Sequence, residues 1–237
     1  MPFRFGAHSS ARLERTPDKG EVDGSNPSGP TVTNELELLD WKRRAFELYA
    51  AVRAQPDGAR AWSIWREQRD DLFAHHPQSP IPENERAGFT GLEYFDYDPD
   101  LRVIADVRAV ETEHFEIPTS GDDTMGFTRV GLAAFELAGQ YLSLEMYWLD
   151  GYGGGLFVPF ADATSGDETY GAGRYLLDTI KGSDLGSEGD DRLILDFNFA
   201  YNPSCSYDPR WVCPLAPPAN RLEVRVRAGE KHTEKPT

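Results

Sequence analysis

The chain contains two cysteines, Cys205 and Cys213, in a segment rich in proline and aromatic residues. Seven residues separate them, which is wider than in common zinc motifs and excludes a C-x-x-C redox pair. A structural zinc would need two further ligands, for which His76 or its neighbour His75 is a candidate. We therefore expect no metal site, and two reduced thiols that pack as small apolar groups. A disulfide and a reactive thiol are the remaining alternatives.

A second group of reactive side chains lies in residues 156–178. Arg174 follows Gly171 and Gly173, which permit unusual backbone angles, and it stands shortly after Glu168 and Tyr170. An arginine in such surroundings can bind a ligand carboxylate or phosphate through two parallel hydrogen bonds. It can also close a structural ion pair with one of the carboxylates, which is the commoner arrangement.

The stretch RLILDFNFAYN, residues 192–202, extends this polar set. A strand here places Asp196 and Asn198 on one face and the aromatic residues on the other. If the aromatic face packs in the core, the polar face either lines a pocket or pairs with a buried group such as Arg174. The residues that we expect to bind a ligand are Arg174, Tyr170, Asp196, Asn198, Tyr201 and Asn202.

Carboxylates of the same region raise the alternative of an enzyme. Asp162, Glu168 and Asp196 can divide the roles of general acid and general base if they converge, as paired carboxylates do in hydrolases. The chain lacks a G-x-S-x-G nucleophile motif. The stretch GYGGG, residues 151–155, lacks the ending of a P-loop and predicts a tight hairpin. We expect no cofactor, and the sequence leaves open whether the protein is an enzyme.

Two helices precede these segments. From Asn34 onward, apolar residues recur every three or four positions, which predicts an amphipathic helix that ends at the stretch QPDG, residues 55–58. A second helix should end at His75 or His76, because Pro77 follows. The apolar residues are Leu38, Trp41, Ala45, Leu48 and Val52 in the first helix, and Trp62, Trp65, Leu72 and Phe73 in the second. We predict a helical hairpin over residues 34–78.

Residues 79–230 show the alternation of apolar and polar residues that is typical of strands. The clearest runs are 101–109, 142–148 and 222–226, and further strands are predicted near Tyr94, Phe115, Val130, Phe157, Tyr175 and Leu195. Short turns separate several of them, which favours antiparallel pairing. We therefore predict eight or nine strands in an antiparallel β-barrel or sandwich. Residues 231–237 are predicted to form a tail.

Composition limits the classes of function. The net charge of −16 argues against a nucleic-acid-binding surface, which needs a positive patch. We find no run of about 18 apolar residues that would suggest a membrane span, and no apolar stretch typical of a secretory signal. We therefore expect a cytoplasmic protein. Residues 1–33 are predicted to be a disordered tail, and the stretch GSNPSGP, residues 24–30, suggests a start codon placed too far upstream, within a neighbouring transfer-RNA gene.

Three long motifs resemble those of the Domain of Unknown Function 1684 family. They are GYGGGLFVPFADATSGDETYGAGRYLLDTIKGSDLG, LDFNFAYNPSCSYDPRWVCPLAPPANRLEVRVRAGEK, and the spacing WR..RD.LF..HPQSP. The resemblance covers residues 34–231. It implies no activity, cofactor or partner, but it marks the residues whose chemistry is worth examining.

The sequence thus predicts an α+β protein in which an N-terminal helical hairpin packs on a mainly antiparallel β-barrel or sandwich. The function that we expect is binding of a small, anionic molecule, as a binding or accessory protein. The alternatives are a hydrolase or lyase that uses carboxylates of the same pocket, and a structural protein without a ligand. We expect no nucleic-acid or membrane partner, and the sequence does not fix the oligomeric state.

Overall fold

The computed structural model describes residues 32–232, which form helices followed by a curled antiparallel sheet. The predicted disordered tail, residues 1–33, and the upstream start codon fall outside the described residues up to residue 31, as does most of the predicted tail 231–237. Residues 32 and 33 are helical, so the tail prediction is wrong there. Val32 begins the first helix, slightly before the predicted Asn34. Within residues 32–232, no helix is both long and apolar enough to cross a membrane.

The two long helices form the predicted hairpin. The helices are α1 (Val32–Ala54), α2 (Gly58–His75) and the single turn α3 (Glu83–Arg86). The side chain of Asp57 caps α2 by accepting a hydrogen bond from the N–H of Arg60 at 3.1 Å. Helix α2 ends at His75, as predicted, because Pro77 disfavours helical geometry in the residue before it.

The second half of α1 packs more closely against the rest of the molecule than the first half. Leu48, Tyr49 and Val52 are buried, whereas Leu38, at the start of the predicted apolar stripe, is 38% exposed. The indole N–H of Trp65 in α2 donates to the hydroxyl of Tyr49 at 3.1 Å, which ties the two helices together inside the core. The apolar stripe in the sequence therefore predicted helix α1 correctly. It predicted only in part which of its residues are buried.

The sheet has six antiparallel strands in the order β5-β4-β3-β2-β1-β6, and it curls into a half-barrel. The strands are β1 (Arg102–Pro118), β2 (Thr124–Leu137), β3 (Gln140–Leu149), β4 (Leu156–Phe160), β5 (Arg174–Asp178) and β6 (Arg192–Asp196). The α+β class with a helical hairpin is confirmed. The predicted count of eight or nine strands is wrong. Residues 102–109 of the run 101–109 and the region of Phe115 form the single strand β1, and the region of Tyr94 forms only an isolated bridge to Glu230.

The predicted strand at residues 222–226 is an extended segment outside the sheet. Residues 222–230, which we call the strap, alternate as predicted: Leu222, Val224, Val226 and Ala228 are buried in one apolar cluster with the sheet, and the residues between the first three are exposed. The backbone of the strap bonds to the backbone of residues 95, 161–163 and 200 and to side chains, so it has little backbone left for a ladder with a sheet strand. The alternation therefore predicted correctly which side chains are buried. It predicted wrongly that the segment is a strand of the sheet.

A buried ion pair holds the strap in place. Arg174 and Asp162 are both 0% exposed, and Nη2 of the arginine lies 3.2 Å from Oδ1 of the carboxylate. The arginine also donates to three strap carbonyls, those of Val226 at 3.0 Å, Glu230 at 3.4 Å and Ala228. The carboxylate accepts from the N–H of Val226 at 2.7 Å. Such extra hydrogen bonds offset the desolvation that a buried ion pair costs.

Gly173 allows Arg174 to reach this position. Its φ angle is +94°, in the region that favours glycine, and a Cβ there would lie 2.6 Å from the carbonyl oxygen of Phe160. The expectation that the glycines before Arg174 permit unusual backbone angles is therefore confirmed for Gly173. The arginine enters the interior because the preceding backbone bends tightly against β4.

Replacing Arg174 by alanine should destabilise the protein by about 3–5 kcal/mol, because it leaves a buried carboxylate without its partner. Urea unfolding measured at neutral pH would show this as a lower transition midpoint. Arg225→Ala is the matched control, because Arg225 pairs with Asp167 and Glu168 at the surface, where a pair contributes about 1 kcal/mol or less. Equal losses in the two variants would contradict the central role of the buried pair.

Candidate functional site

The expected ligand residues Tyr201 and Asn202 line a cavity between the helices and the sheet. This helix–sheet cavity has a volume of about 80 Å³ and is also lined by Arg69 of α2 and by Lys181, which follows β5. Its remaining wall is formed largely by apolar and aromatic side chains, among them Trp41, Leu48, Leu72 and Phe73. Among its described lining residues there are two cationic groups and no Asp or Glu.

Arg69 is the most strongly constrained cation of this cavity. Its Nε donates to the hydroxyl of Tyr94 at 3.2 Å, and its Nη2 donates to Oε2 of Glu230 at 2.8 Å. Burial alone would lower the pKa of Arg69, but the neighbouring Tyr94 and Glu230 raise it above its ordinary value. The guanidinium is therefore charged at every physiological pH.

Three aromatic rings fix the orientation of this guanidinium. Its central carbon lies 4.8 Å from the ring centre of Trp65, 5.0 Å from that of Phe73 and 5.0 Å from that of Tyr201. Within residues 32–232, the second terminal nitrogen of Arg69, Nη1, has no hydrogen-bond partner. The side chain keeps 11% of its surface exposed, so a charged donor that the protein does not use borders the cavity.

Glu230 connects Arg69 to the strap. Its carboxylate accepts from Arg69, from the N–H of Asn202 at 3.1 Å and from the hydroxyl of Tyr207. Burial raises the pKa of Glu230, and Arg69 opposes that shift. Because Arg174 bonds the carbonyl of the same residue, the two buried arginines hold Glu230 from both its backbone and its side chain.

Two further polar atoms of the cavity residues lack partners. The side-chain oxygen of Asn202 is buried without a hydrogen bond, although the side-chain nitrogen donates to the carbonyl of Lys231 at 2.9 Å. The hydroxyl of Tyr201 has no hydrogen-bond partner among residues 32–232, and the residue is 9% exposed. A buried polar group without a partner costs about 1–3 kcal/mol, so an occupant that bonded the side-chain oxygen of Asn202 would recover that energy.

Lys181 supplies the second cation of the helix–sheet cavity. Its Nζ lies 3.6 Å from Oδ2 of Asp178 and 5.4 Å from the ring centre of Tyr175, and its side chain is 49% exposed. It is therefore free to move toward an occupant of the cavity, unlike Arg69. A long flexible ammonium beside a fixed guanidinium is an arrangement that suits an anion.

Asp196 and Asn198 lie elsewhere. Asp196 lines a second cavity of about 470 Å³ near the turn between α1 and α2, and Asn198 contacts Asp196. The predicted strand through both residues ends at Asp196, and a single 3-10 turn follows it. Oδ1 of Asp196 accepts from the backbone N–H of Asn198 at 3.0 Å and from its side-chain nitrogen at 2.8 Å. The side chains therefore contact each other instead of lining one strand face side by side.

The second carboxylate oxygen of Asp196 has no hydrogen-bond partner among residues 32–232. The residue is 3% exposed, and it shares this cavity with Tyr97 and with Arg102, its cross-strand neighbour in β1. Burial raises the pKa of Asp196 to about 6 despite the hydrogen bonds from Asn198. Arg174, the partner suggested by the sequence, pairs with Asp162 instead.

The three carboxylates considered for acid–base catalysis have separate surroundings. Asp162 is enclosed by Arg174 and Thr164 under the strap. Glu168 lies between Arg225 and Arg227 near the surface, and these guanidinium groups lower its pKa to about 2. Since Asp196 lines the second cavity, the structure does not bring the three groups into one site.

Tyr170 and the cysteines form a third group. The hydroxyl of Tyr170 lies 3.8 Å from Sγ of Cys205, and both cysteines are free thiols. His76, the candidate zinc ligand, bonds Asp40 at 3.3 Å at the end of α2 instead of joining the cysteines. Within residues 32–232, no three His, Cys, Asp or Glu side chains are arranged to hold a metal ion.

The ligand-binding residues predicted from the sequence include neither Arg69, which lines the helix–sheet cavity, nor Glu230, which fixes it. A signal was present for the arginine, because Trp65, Arg69 and Phe73 are four residues apart and therefore share one helix face. An arginine within an apolar stripe of a helix is a candidate for a buried charge. Glu230 carried no comparable signal, because its partner lies 161 residues away in the sequence.

Comparison with known proteins matches residues 87–231 to the family described as "Protein of unknown function (DUF1684)". An uncharacterized protein of Haloarcula marismortui, solved in solution by NMR, is 41% identical, and the match covers 70% of this chain and 89% of that chain with a TM-score of 0.54. No curated protein matches. Tyr201, Asn202 and Glu230 lie within the family match, whereas Arg69 precedes it.

Asp196→Asn should stabilise the protein by about 1–2 kcal/mol at about pH 7, because it removes a buried charge and keeps the oxygen that Asn198 bonds. The pKa of Asp196 is raised to about 6 in the folded protein. The folded state therefore binds the proton more tightly than the unfolded state, and the wild type gains stability as the pH falls from about 7 toward about 4. The difference between variant and wild type should shrink over the same interval, as measured by urea unfolding.

Asp106→Asn serves as the control, because Asp106 is an exposed carboxylate on the same strand as Arg102. Its effect should stay within about 0.5 kcal/mol at each pH. An Asp196→Asn variant that is less stable than the wild type throughout this pH range would refute the interpretation.

Proposed function

The chain belongs to the DUF1684 family of proteins of unknown function, and we propose that it is a binding protein for a small molecule that carries an anionic group, held in the helix–sheet cavity. The observation that carries this proposal is the unused Nη1 of Arg69, a charged donor fixed by three rings at the border of a largely apolar cavity. Fixed donors in surroundings of low dielectric bind anions more strongly than flexible donors in water.

The charge of the cavity supports an anionic ligand although the whole chain carries a net charge of −16. Glu230 neutralises Arg69 in part, but it is bound on the side of the strap and does not line the cavity. Lys181 adds a positive charge at the cavity wall. A ligand anion would therefore meet two cations and no nearby carboxylate of the wall, while the acidic surface would discriminate against large polyanions.

The size of the cavity restricts the ligand further. A volume of about 80 Å³ is well below the roughly 300–1,000 Å³ that is typical of sites for drug-sized molecules. It suits a carboxylate or phosphate group with few additional atoms. Because the oxygen of Asn202 needs a donor and the hydroxyl of Tyr201 can donate or accept, a ligand with a hydroxyl or ammonium group beside its anion would satisfy both.

The hydrolase or lyase alternative is supported by one observation, at the cavity of Asp196. Its carboxyl has an unused oxygen, a pKa of about 6 and the neighbours Tyr97 and Arg102. A carboxyl that titrates near neutral pH can act as a general acid or a general base. It would act alone there, since Asp162 and Glu168 lie in other surroundings.

We also propose that the protein acts in the cytoplasm. Its two cysteines are free thiols, which suits a reducing compartment. The acidic net charge of −16 is consistent with our expectation that no nucleic acid is bound.

The binding proposal predicts saturable binding of acetate or inorganic phosphate, measured by NMR titration of the isotope-labelled protein. The largest shifts should appear at the side-chain N–H groups of Arg69 and at the amide of Asn202. Lys181→Gln should weaken the affinity about three- to tenfold, the effect of losing a partly exposed charged donor. The buried carboxylate of Asp178 keeps its hydrogen bond from the backbone N–H of residue 181 at 3.3 Å in this variant.

Lys42→Gln is the matched control, since it removes the same charge from an exposed position of α1. Sodium chloride at equal ionic strength controls for screening. Shifts that follow ionic strength alone, or equal losses of affinity in the two lysine variants, would rule out an anion site in the helix–sheet cavity.

A further inference from the structure

Cys205 and Cys213 meet although seven residues separate them in the sequence. Tight turns fold the intervening loop, with backbone hydrogen bonds from Tyr207 to Ser204 at 3.2 Å and from Trp211 to Asp208 at 3.1 Å. As a result both cysteines pack in the same apolar cluster, in which Cys213 is buried and Cys205 partly buried, and their side chains are neighbours.

The backbone of Cys213 is fixed to the turn between β1 and β2. Its N–H donates to the hydroxyl oxygen of Ser120 at 3.1 Å, and its carbonyl accepts from the N–H of Ser120 at 2.9 Å. The residue is 3% exposed, whereas Cys205 is only partly buried. An oxidant arriving from solvent therefore reaches Cys205 before it reaches Cys213.

The surroundings of Cys205 stabilise its thiolate. The thiol of Cys213 and the hydroxyls of Ser120 and Tyr170 surround its sulfur, with the Tyr170 oxygen at 3.8 Å. Hydrogen bonds to the charged form lower the pKa of Cys205 to about 6. The same contact and burial raise the pKa of Cys213, so the two thiols differ in acidity. Among neighbouring groups, Lys181 and Tyr175 act on Cys213, and the ring of His232 packs on Tyr170.

From these contacts we infer that Cys205 and Cys213 are a redox-active thiol pair, in which a hydroperoxide oxidises Cys205 and Cys213 resolves the product to an intramolecular disulfide. The order follows from the partial exposure of Cys205, the burial of Cys213 and the contact between their side chains. No metal or cofactor takes part, and hydrogen peroxide is the smallest oxidant of the required class.

The reaction has two steps. The Cys205 thiolate attacks one oxygen of the peroxide, the O–O bond breaks, and the products are the Cys205 sulfenic acid and a hydroxide that is protonated to water. Cys213 then attacks the Cys205 sulfur as a thiolate, having lost its proton to solvent. An S–S bond forms, the S–O bond breaks, and the oxygen leaves as water. Two thiols and one hydrogen peroxide thus give one disulfide and two waters.

Treating the reduced full-length chain with one equivalent of hydrogen peroxide tests this inference. Mass spectrometry of the intact protein should show the loss of two hydrogen atoms, and peptide mapping should link Cys205 to Cys213. In Cys213→Ser, dimedone should trap a sulfenic acid on Cys205. In Cys205→Ser, Cys213 should form neither a dimedone adduct nor a disulfide. Trapping at Cys213 first, or disulfides only between molecules, would overturn the inference.

Tyr170→Phe keeps the test decisive if a cysteine variant fails to fold. It should slow the oxidation of Cys205 severalfold and raise the pH at which Cys205 reacts half-maximally with iodoacetamide, because it removes one hydroxyl beside the sulfur. Tyr141→Phe is the matched control, since Tyr141 is 89% exposed on β3. If Tyr170→Phe oxidises as fast as the control, or if wild-type Cys205 reacts only after denaturation, the thiol pair is not redox-active.

Discussion

The buried pair of Arg174 and Asp162 is the interaction on which the rest of the structure depends. It holds three carbonyls and one N–H of the strap backbone, and the strap in turn places Glu230 inside the molecule. Glu230 fixes Arg69, and Arg69 anchors α2 against the sheet. The buried ion pair of Arg174 and Asp162 therefore determines where the ion pair of Arg69 and Glu230 forms. The helix–sheet cavity exists because the two pairs hold the helices and the strap on the same side.

The sequence predicted those parts of the fold that arise from local periodicity. The helix stop at His75 follows from a proline, and the β1 and β3 runs alternate over enough residues to show their period. The strap shows the limit of this approach, because its alternation is as clear as that of a true strand. An alternation of apolar and polar residues shows that every second side chain is buried. Whether the segment joins a β-ladder depends on whether its backbone N–H and C=O groups are free to bond a neighbouring strand. At the strap, an arginine and an aspartate occupy that backbone.

For a related reason, the sequence predicted individual residues of the candidate site but not how they are grouped in space. Tyr201 and Asn202 border the helix–sheet cavity, and Asp196 borders another, but no pattern in the sequence separates the two cavities. Polar residues close together in the sequence were assigned to one pocket, whereas a 3-10 turn after β6 directs them to different sides. Arg69 and Glu230 meet only in three dimensions, so their pairing has no pattern in either segment alone.

The dependence on the strap has a consequence for the order in which the chain can fold during synthesis. Arg174 binds carbonyls that lie 52 to 56 residues later in the chain, and Asp162 binds an N–H that lies 64 residues later. Until the ribosome has released those residues, the segment after β4 and the start of β5 carry two charges that cannot yet be buried at low cost. The nascent sheet should therefore stay hydrated and open on this side. During that time its apolar surface is exposed, and chaperones can bind it.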